Sequence, residues 1–371
     1  MPDTAIRQQV LAKARRIVVK VGTNAICDAS GRPDRTTVAG LAKQIAEIRK
    51  SGVSVLMVSS GAIGAGMGEL ELTARPKTMP ALQAAAAVGQ GQLMRAFHDV
   101  FARHGVKVAQ VLLTRDDLEE RARYLNIRNT LQALDDYDAL PIVNENDTVA
   151  VDEIRFGDND IIAAQLANMV GADALVLLTT VDGVIKDGRV LNCIQHVDEQ
   201  AMALDSGRKS SLGSGGMSSK LQAAAVVTRA GEVAVIANAR APKVLLRLLG
   251  GEQIGTVFVP AKRKLSSRRR WIGQVARPAG RIVVDGGAAK ALREHGKSLL
   301  PSGVIAVAGQ FTKGATVAVI DSSGKQIARG LTNYSSEQIK KIKGLKTSQI
   351  ARALGDKPYD EIIHRNNMTV G

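Results

Sequence analysis

Cysteine, histidine and aromatic residues are all scarce in this 371-residue chain. Two cysteines, Cys27 and Cys193, cannot build a disulfide framework or a zinc cluster by themselves. So few thiols fit a reducing compartment. The five histidines, His98, His104, His196, His295 and His364, are scattered and show no metal-ligand spacing. No protein-held metal is therefore expected. From residue 260 onward the rings are Trp271, Phe311, Tyr334 and Tyr359, too few for a single-strand stacking platform. No window reaches the ~18 uninterrupted apolar residues of a membrane span. The first 22 residues hold no apolar stretch long enough for a secretory signal. A cytoplasmic protein with no membrane partner is the expectation. Walker A, G-x-G-x-x-G and G-x-S-x-G strings are also missing, which removes three common routes to nucleotide or acyl chemistry.

What is present points to a folded, two-part enzyme-sized chain. Hydrophobic residues make up 45% of it, enough for a core and too many for a disordered chain. The length exceeds the usual single domain. Net charge is +15, but 21 of the 50 Lys and Arg against 7 of the 35 Asp and Glu lie from Pro260 onward. That segment carries +14 and residues 1–259 carry +1. A nucleic-acid argument from charge therefore applies only to the second part.

Residues 1–259 alternate short apolar runs with helical spacing. Ile17–Val21, Val53–Ser59, Val106–Leu113, Leu140–Asn144, Ala174–Thr179 and Glu232–Ile236 read as strands. Val38–Ser51, Met79–His104, Leu118–Leu134, Asp160–Met169 and Ser219–Ala230 read as helices. Strand, loop and helix in this rhythm predict a mostly parallel sheet covered on both faces, an α/β three-layer sandwich. Ligands in such sheets bind at the carboxyl ends of the strands. Residues 260–279 read as a basic linker. Residues 280–371 read as a small β-rich domain with one short helix at Ala288–His295.

Four strand-end segments carry the candidate chemistry. Lys20 is a charge in an otherwise apolar strand, placed to meet a phosphate beside Gly22. Ser59–Gly66 is a glycine-rich turn able to offer backbone N–H groups to an oxyanion. Asn144–Asp147 and Gly157–Asp160 gather amides and carboxylates at element boundaries, where Asp158 or Asn159 also suits an N-cap. Leu212–Lys220 runs glycines and serines into a helix start with a lysine in its first turn, an anion-binding arrangement. Two lysines with a carboxylate cluster between them suit phosphoryl transfer, which needs positioning and neutralisation of spreading negative charge. An anionic acceptor would need no general base.

The strings VVKVGT, SSGAIGAG, NENDTV, FGDND and LGSGGMSSK, in this order and spacing, resemble the amino-acid kinase family over essentially the whole chain. The C-terminal part resembles a PUA domain, a small β-barrel-like module found in RNA-modifying enzymes. The resemblance implies a kinase domain over 1–259, and ATP-dependent phosphorylation of the γ-carboxylate of L-glutamate with Mg²⁺, at the head of proline biosynthesis. It implies that Lys20 and Lys220 are catalytic and that Asp160 orients them. Ser60, Gly61, Ala62, Asp147 and Asn159 would hold glutamate. Lys20, Thr179, Thr180 and Ser214, Gly215, Gly216, Met217, Ser218, Ser219 and Lys220 would hold ATP. It further implies a homo-oligomer, dimer or tetramer, and feedback inhibition by proline. The segment Thr179–Ile185 departs from the family pattern: no aspartate follows the threonine directly, and no Gly-Leu-Tyr string follows. Two other readings are another carboxylate or carbamate kinase of this fold, and an RNA-binding or regulatory protein acting through the basic second part. Lys262, Arg263, Lys264, Arg268, Arg269 and Arg270 motivate the latter.

Overall fold

The structure, a computed structural model, describes residues 3–28, 31–150, 159–204, 216–261 and 266–370. The chain divides into two compact units, residues 1–118 with 122–264 and residues 119–121 with 265–371.

The strands of the first unit are β1 (Arg16–Val21), β2 (Ser54–Ser59), β3 (Lys107–Leu113), β4 (Ala139–Glu145), β5 (Ala174–Thr179), the short pair β6 (Ile185–Lys186) and β7 (Arg189–Val190), β8 (Cys193–Ile194), β9 (Val233–Asn238) and β10 (Thr256–Phe258). One sheet takes the order β3-β4-β2-β1-β5-β9-β10-β8. All pairings from β3 through β9 are parallel; β10 runs antiparallel to β9, and β8 parallel to β10. The helices that matter for the site are α1 (Arg35–Lys50), α2 (Ala62–Glu69), α3 (Met79–Ala102), α4 (Arg121–Asp136), α5 (Asn159–Val170), α6 (Met217–Arg229) and α7 (Val244–Leu249).

Local chemistry explains the elements. Asp34 caps α1 by accepting from the Thr36 and Thr37 backbone N–H groups. Val38, Leu41, Ala42, Ile45 and Ile48 then recur at helical spacing and are buried. Gly52, at φ +87°, turns the chain out of the helix into β2. In β1 the side chains alternate. Ile17, Val19 and Val21 join the core that contains Leu41 and Ile45 of α1, Leu93 and Phe97 of α3, and Val244 and Leu245 of α7. Val18 and Lys20 must then face the opposite layer, where α5 packs against β1 and against α6.

The glycine-rich segment after β2 is a helix rather than an open turn. Gly66 of α2 and Gly89 of α3 stand where the two helices meet. A Cβ at Gly66 would stand 1.7 Å from the Ala85 carbonyl oxygen, and one at Gly89 would stand 1.9 Å from the Ala62 oxygen. The two backbones touch, so the glycine composition that signals a loop here records close helix packing.

In the second unit β11 (Gly280–Val284), β12 (Val304–Ala308), β13 (Thr316–Ile320), β14 (Gln326–Leu331) and β15 (Met368–Val370) form a sheet in the order β12-β11-β13-β14-β15. Its core holds Ile282, Val284, Val317, Val319, Ile327 and Tyr334, covered by Leu292 of α8 (Gly286–His295) and Ile339 of α9 (Ser336–Ile342). The basic run differs from a plain linker. Ser267–Arg270 is helical, and Trp271 and Ile272 beyond it are buried. Lys262, Arg263 and Lys264 lie outside the described residues.

Candidate active site

Three charged side chains meet where β1, α5 and α6 converge. Lys20 stands one residue before the end of β1, flanked in register by Val58 of β2 and Leu177 of β5. Asp160 is the second residue of α5, and Lys220 lies in the first turn of α6. Lys20 Nζ is 2.7 Å from Asp160 Oδ1, and Lys220 Nζ is 3.3 Å from Oδ2. Ser219 donates its hydroxyl to the same Oδ2 at 2.6 Å. Lys220 also donates to the Gly216 carbonyl at 3.3 Å.

Asp160 is fully buried, and Lys20 and Lys220 are 4% and 6% exposed. Burial works against the Asp160 carboxylate. The Lys20 and Lys220 charges and the Ser219 hydroxyl outweigh it and hold the carboxyl well below its usual range. Burial, joined by the Lys220 charge, lowers Lys20, while Asp160 opposes that shift. Asp160 therefore stays ionised at any physiological pH. One anion between two buried cations leaves the cluster with a net positive charge, suited to a phosphoryl group.

The other predicted residues collect at the same carboxyl end of the sheet. Ser60 follows β2, and its N–H donates to the Val21 carbonyl of β1 at 3.1 Å. Gly61, at φ +117°, starts α2, a conformation that glycine adopts without strain, and Ala62 is buried as the first residue of the helix. Asn159 opens α5 beside Asp160. Its Nδ2 donates to Asn144 Oδ1 at 3.1 Å, and its Oδ1 accepts from the Glu145 N–H at 3.3 Å. Asp147 lies in the turn after β4. Its charge opposes the lowering that burial imposes on the half-buried Arg75 guanidinium.

Thr179 ends β5 on the other side of β1, paired in register with Asn238, and Thr180 is exposed next to it. Gly216 precedes α6, with Met217 and Ser218 in its first turn. Ser214, Gly215 and Asp158 lie outside the described residues. Lys20, Asp160, Ser219 and Lys220 are thus in direct contact. Asn159 joins them through its neighbour Asp160, while Ser60–Ala62 and Thr179 flank β1 on either side.

Two residues missing from the predicted site join it. Asn144, 2% exposed, bridges β4 to Asn159, and Gln90 of α3 accepts from Asn144 at 2.8 Å. Asn144 was visible as part of an amide-rich cluster. Gln90 carried no local signal, because a glutamine on a helix usually faces solvent. Among the described residues no group of three or more His, Cys, Asp or Glu could hold a metal. Both Asp160 oxygens are already engaged by ammonium and hydroxyl groups, so they do not suit a resident cation.

A model of the amino acid kinase family matches residues 15–238, more than half of the chain. The chain belongs to the amino acid kinase family. A PUA domain model matches residues 280–354. This amino acid kinase is 47% identical over 362 residues to the glutamate 5-kinase of Caldanaerobacter subterraneus subsp. tengcongensis, covering 96% of this chain and 97% of that one. It is 46% identical over 367 residues to the glutamate 5-kinase of Moorella thermoacetica, covering 97% of each. Among solved structures, the carbamate kinase from Giardia lamblia bound to AMP-PNP aligns with 67% of this chain and 100% of its own, at 21% identity and a TM-score of 0.47.

Proposed function

We propose that this amino acid kinase transfers the γ-phosphoryl group of ATP to the γ-carboxylate of L-glutamate, forming glutamyl 5-phosphate and ADP for proline biosynthesis. The observation that carries the reading is the buried Lys20–Asp160–Lys220 cluster at the strand ends. A carboxylate oxygen of glutamate attacks the γ-phosphorus, the bond to the β,γ-bridging oxygen breaks, and ADP leaves. The acceptor is already an anion, so no base must remove a proton. Lys20 and Lys220 neutralise the charge that spreads over the phosphoryl oxygens in transfer. Asp160 keeps both ammonium groups aimed. Mg²⁺ would enter with the nucleotide and would neutralise charge on its phosphates, a task Lys20 and Lys220 would share.

Ser60, Gly61 and Ala62 at the β2 end would receive one end of glutamate, and Asp147 and Asn159 the α-amino and α-carboxyl end. Thr179, Thr180 and Ser214 to Lys220 would receive ATP. The test is formation of an acyl phosphate from ATP, Mg²⁺ and glutamate, trapped with hydroxylamine as hydroxamate. Equal turnover with aspartate or acetylglutamate overturns the substrate. Lys20→Ala and Lys220→Ala should each lower turnover by about 10²-fold or more. Unchanged turnover in both would remove the mechanism.

Several finer features belong to the same reading. Proline shares the α-amino and α-carboxyl groups of glutamate, so it would inhibit competitively against glutamate. A homo-oligomer, dimer or tetramer, belongs to the same reading and is testable by light scattering. Two free thiols, Cys27 and Cys193, support a reducing, cytoplasmic setting. No described helix is long and apolar enough to cross a membrane. The cleft of about 800 Å³ in the second unit is mostly apolar and sets Lys297 and Arg365 against Asp285 and Glu361. RNA as a partner of the PUA domain rests instead on the net charge of +14 from residue 260 onward. RNA affinity that does not fall between 50 and 200 mM salt would count against it.

A further inference from the structure

Gln90 lies at a junction that the phosphoryl-transfer cluster does not use. It follows Gly89, whose missing Cβ lets the α3 backbone close on the Ala62 carbonyl at the start of α2. On its other side it meets Asn144 at the end of β4. Gln90 therefore sits at the junction of the two halves of the proposed glutamate site, Ser60–Ala62 on one side and Asn144 with Asn159 on the other.

The hydrogen bonds fix which way its amide points. The Glu145 backbone N–H is a donor without ambiguity, and it lies 2.9 Å from the Asn144 side-chain oxygen. Asn144 must therefore present Oδ1 there and turn Nδ2 away. Asn159 Nδ2 donates to the same Oδ1. Asn144 Nδ2 then needs an acceptor, and Gln90 Oε1 supplies it at 2.8 Å. With Oε1 committed, Gln90 is left with an NH₂ group facing elsewhere. That Nε2 is buried and has no hydrogen-bond partner among the described residues. A buried donor left unpaired is costly, so its natural complement is an acceptor that arrives with the substrate.

We propose that Gln90 is an amino-acid-binding residue of the kinase site, holding Asn144 and Asn159 in register through Oε1 and donating Nε2–H to a carboxylate of the substrate. The inference rests on the glutamate reading above. Nε2 offers two hydrogens to one or both carboxylate oxygens, while Asn144 and Asn159 keep the α5 start, and with it Asp160, in place. Gln90 thus recognises the acceptor without touching the nucleotide.

Gln90→Glu separates the two roles. The variant keeps an oxygen for Asn144 and puts a negative charge where the donor stood. Its KM for glutamate should rise at least 10-fold, with the KM for ATP within twofold and kcat within about threefold of wild type. Gln90→Met fills the same space without polar groups and should raise the glutamate KM by about fivefold, which covers the case of a Gln90→Glu chain that fails to fold. Thermal unfolding of each variant is recorded alongside. A glutamate KM within twofold of wild type in a folded variant overturns the assignment. An equal rise in the KM for ATP would instead make Gln90 a structural residue and overturn it too. If wild-type enzyme forms no glutamate hydroxamate, the function fails first. Wild-type turnover with insensitive Gln90 variants fails the inference alone.

Discussion

Replacing Asp160 with asparagine removes one charge from the centre of the site while keeping its shape and an acceptor for the Ser219 hydroxyl. The two ion pairs it breaks are 2.7 and 3.3 Å long. At an effective dielectric constant of about 20 they represent roughly 6 and 5 kcal/mol of direct attraction. Desolvation of three buried charges offsets much of that. Removing one partner of a buried pair nonetheless costs about 3–5 kcal/mol, because the charge left behind is uncompensated. Here two ammonium groups would be left. At about 2–4 °C per kcal/mol for a unit of this size, Asp160→Asn should melt roughly 6–20 °C lower than wild type. With the lysines no longer aimed, turnover should fall by about 10²-fold or more.

The pH dependence gives the sharper test. In wild type the Asp160 carboxyl lies below its ordinary value, so its stabilisation is complete above the unfolded carboxylate range and drains away as pH falls toward the folded value. Asp160→Asn has no such acid limb. Burial already lowers Lys20, and loss of the carboxylate removes the main force opposing that. A lysine whose folded pKa is lowered costs stability at neutral pH, and the cost shrinks as pH rises through that value. The melting deficit of Asp160→Asn should therefore narrow between pH 7 and pH 10, followed by calorimetry. A deficit that widens over that range, a melting point within about 2 °C of wild type at pH 7, or turnover within about threefold, refutes the account.

Gly66→Ala should force α2 and α3 apart, because its new methyl would overlap the Ala85 carbonyl; a loss of about 1–3 kcal/mol and a higher glutamate KM are expected by denaturant unfolding and initial rates. Gly91→Ala, where nothing lies within 4 Å, should gain about 0.5–1 kcal/mol in the same assay. Arg7, 1% exposed, donates to the carbonyls of Asn192, Glu252, Ile254 and Gly255. Arg7→Lys cannot reach four carbonyls from one nitrogen and should cost about 3–5 kcal/mol, with glutamate and ATP KM values unchanged below the melting point.

The central strands and longer helices of the first unit were legible because their signals are local: IVVKV entering Gly22, the helical spacing of Val38–Ser51 before Gly52, and the apolar ALVLLT run. Lys20 stood out as one charge in a buried strand. Asp160 and Lys220 were legible as members of boundary clusters, and their pairing with Lys20 through the family resemblance. What escaped depends on partners far along the chain. Met368–Val370 is a strand only because β14 offers it an edge. The α2 helix hid behind its glycines because the reason for them lies in α3. The α9 helix was missed although its Ser335–Gln338 capping box is in the sequence. Gln90 becomes informative only when the Glu145 N–H decides the orientation of Asn144.

The placement of Lys20 makes register part of the function. Strand side chains alternate, so Val19 and Val21 face the α1 and α3 core while Lys20 faces α5 and α6. A slip of one residue would drive the ammonium among Ile45, Leu93 and Phe97 and turn a valine toward Asp160. The pairings of Lys20 with Val58 and Leu177 prevent that from both sides. Parallel neighbours buried on both faces give β1 no solvent edge along which to slide. The site's charge is therefore set by strand register and two helix starts within residues 1–259, which carry a net charge of only +1. The other +14 lies from residue 260 onward, and the Lys20–Asp160–Lys220 cluster draws none of its charge from it.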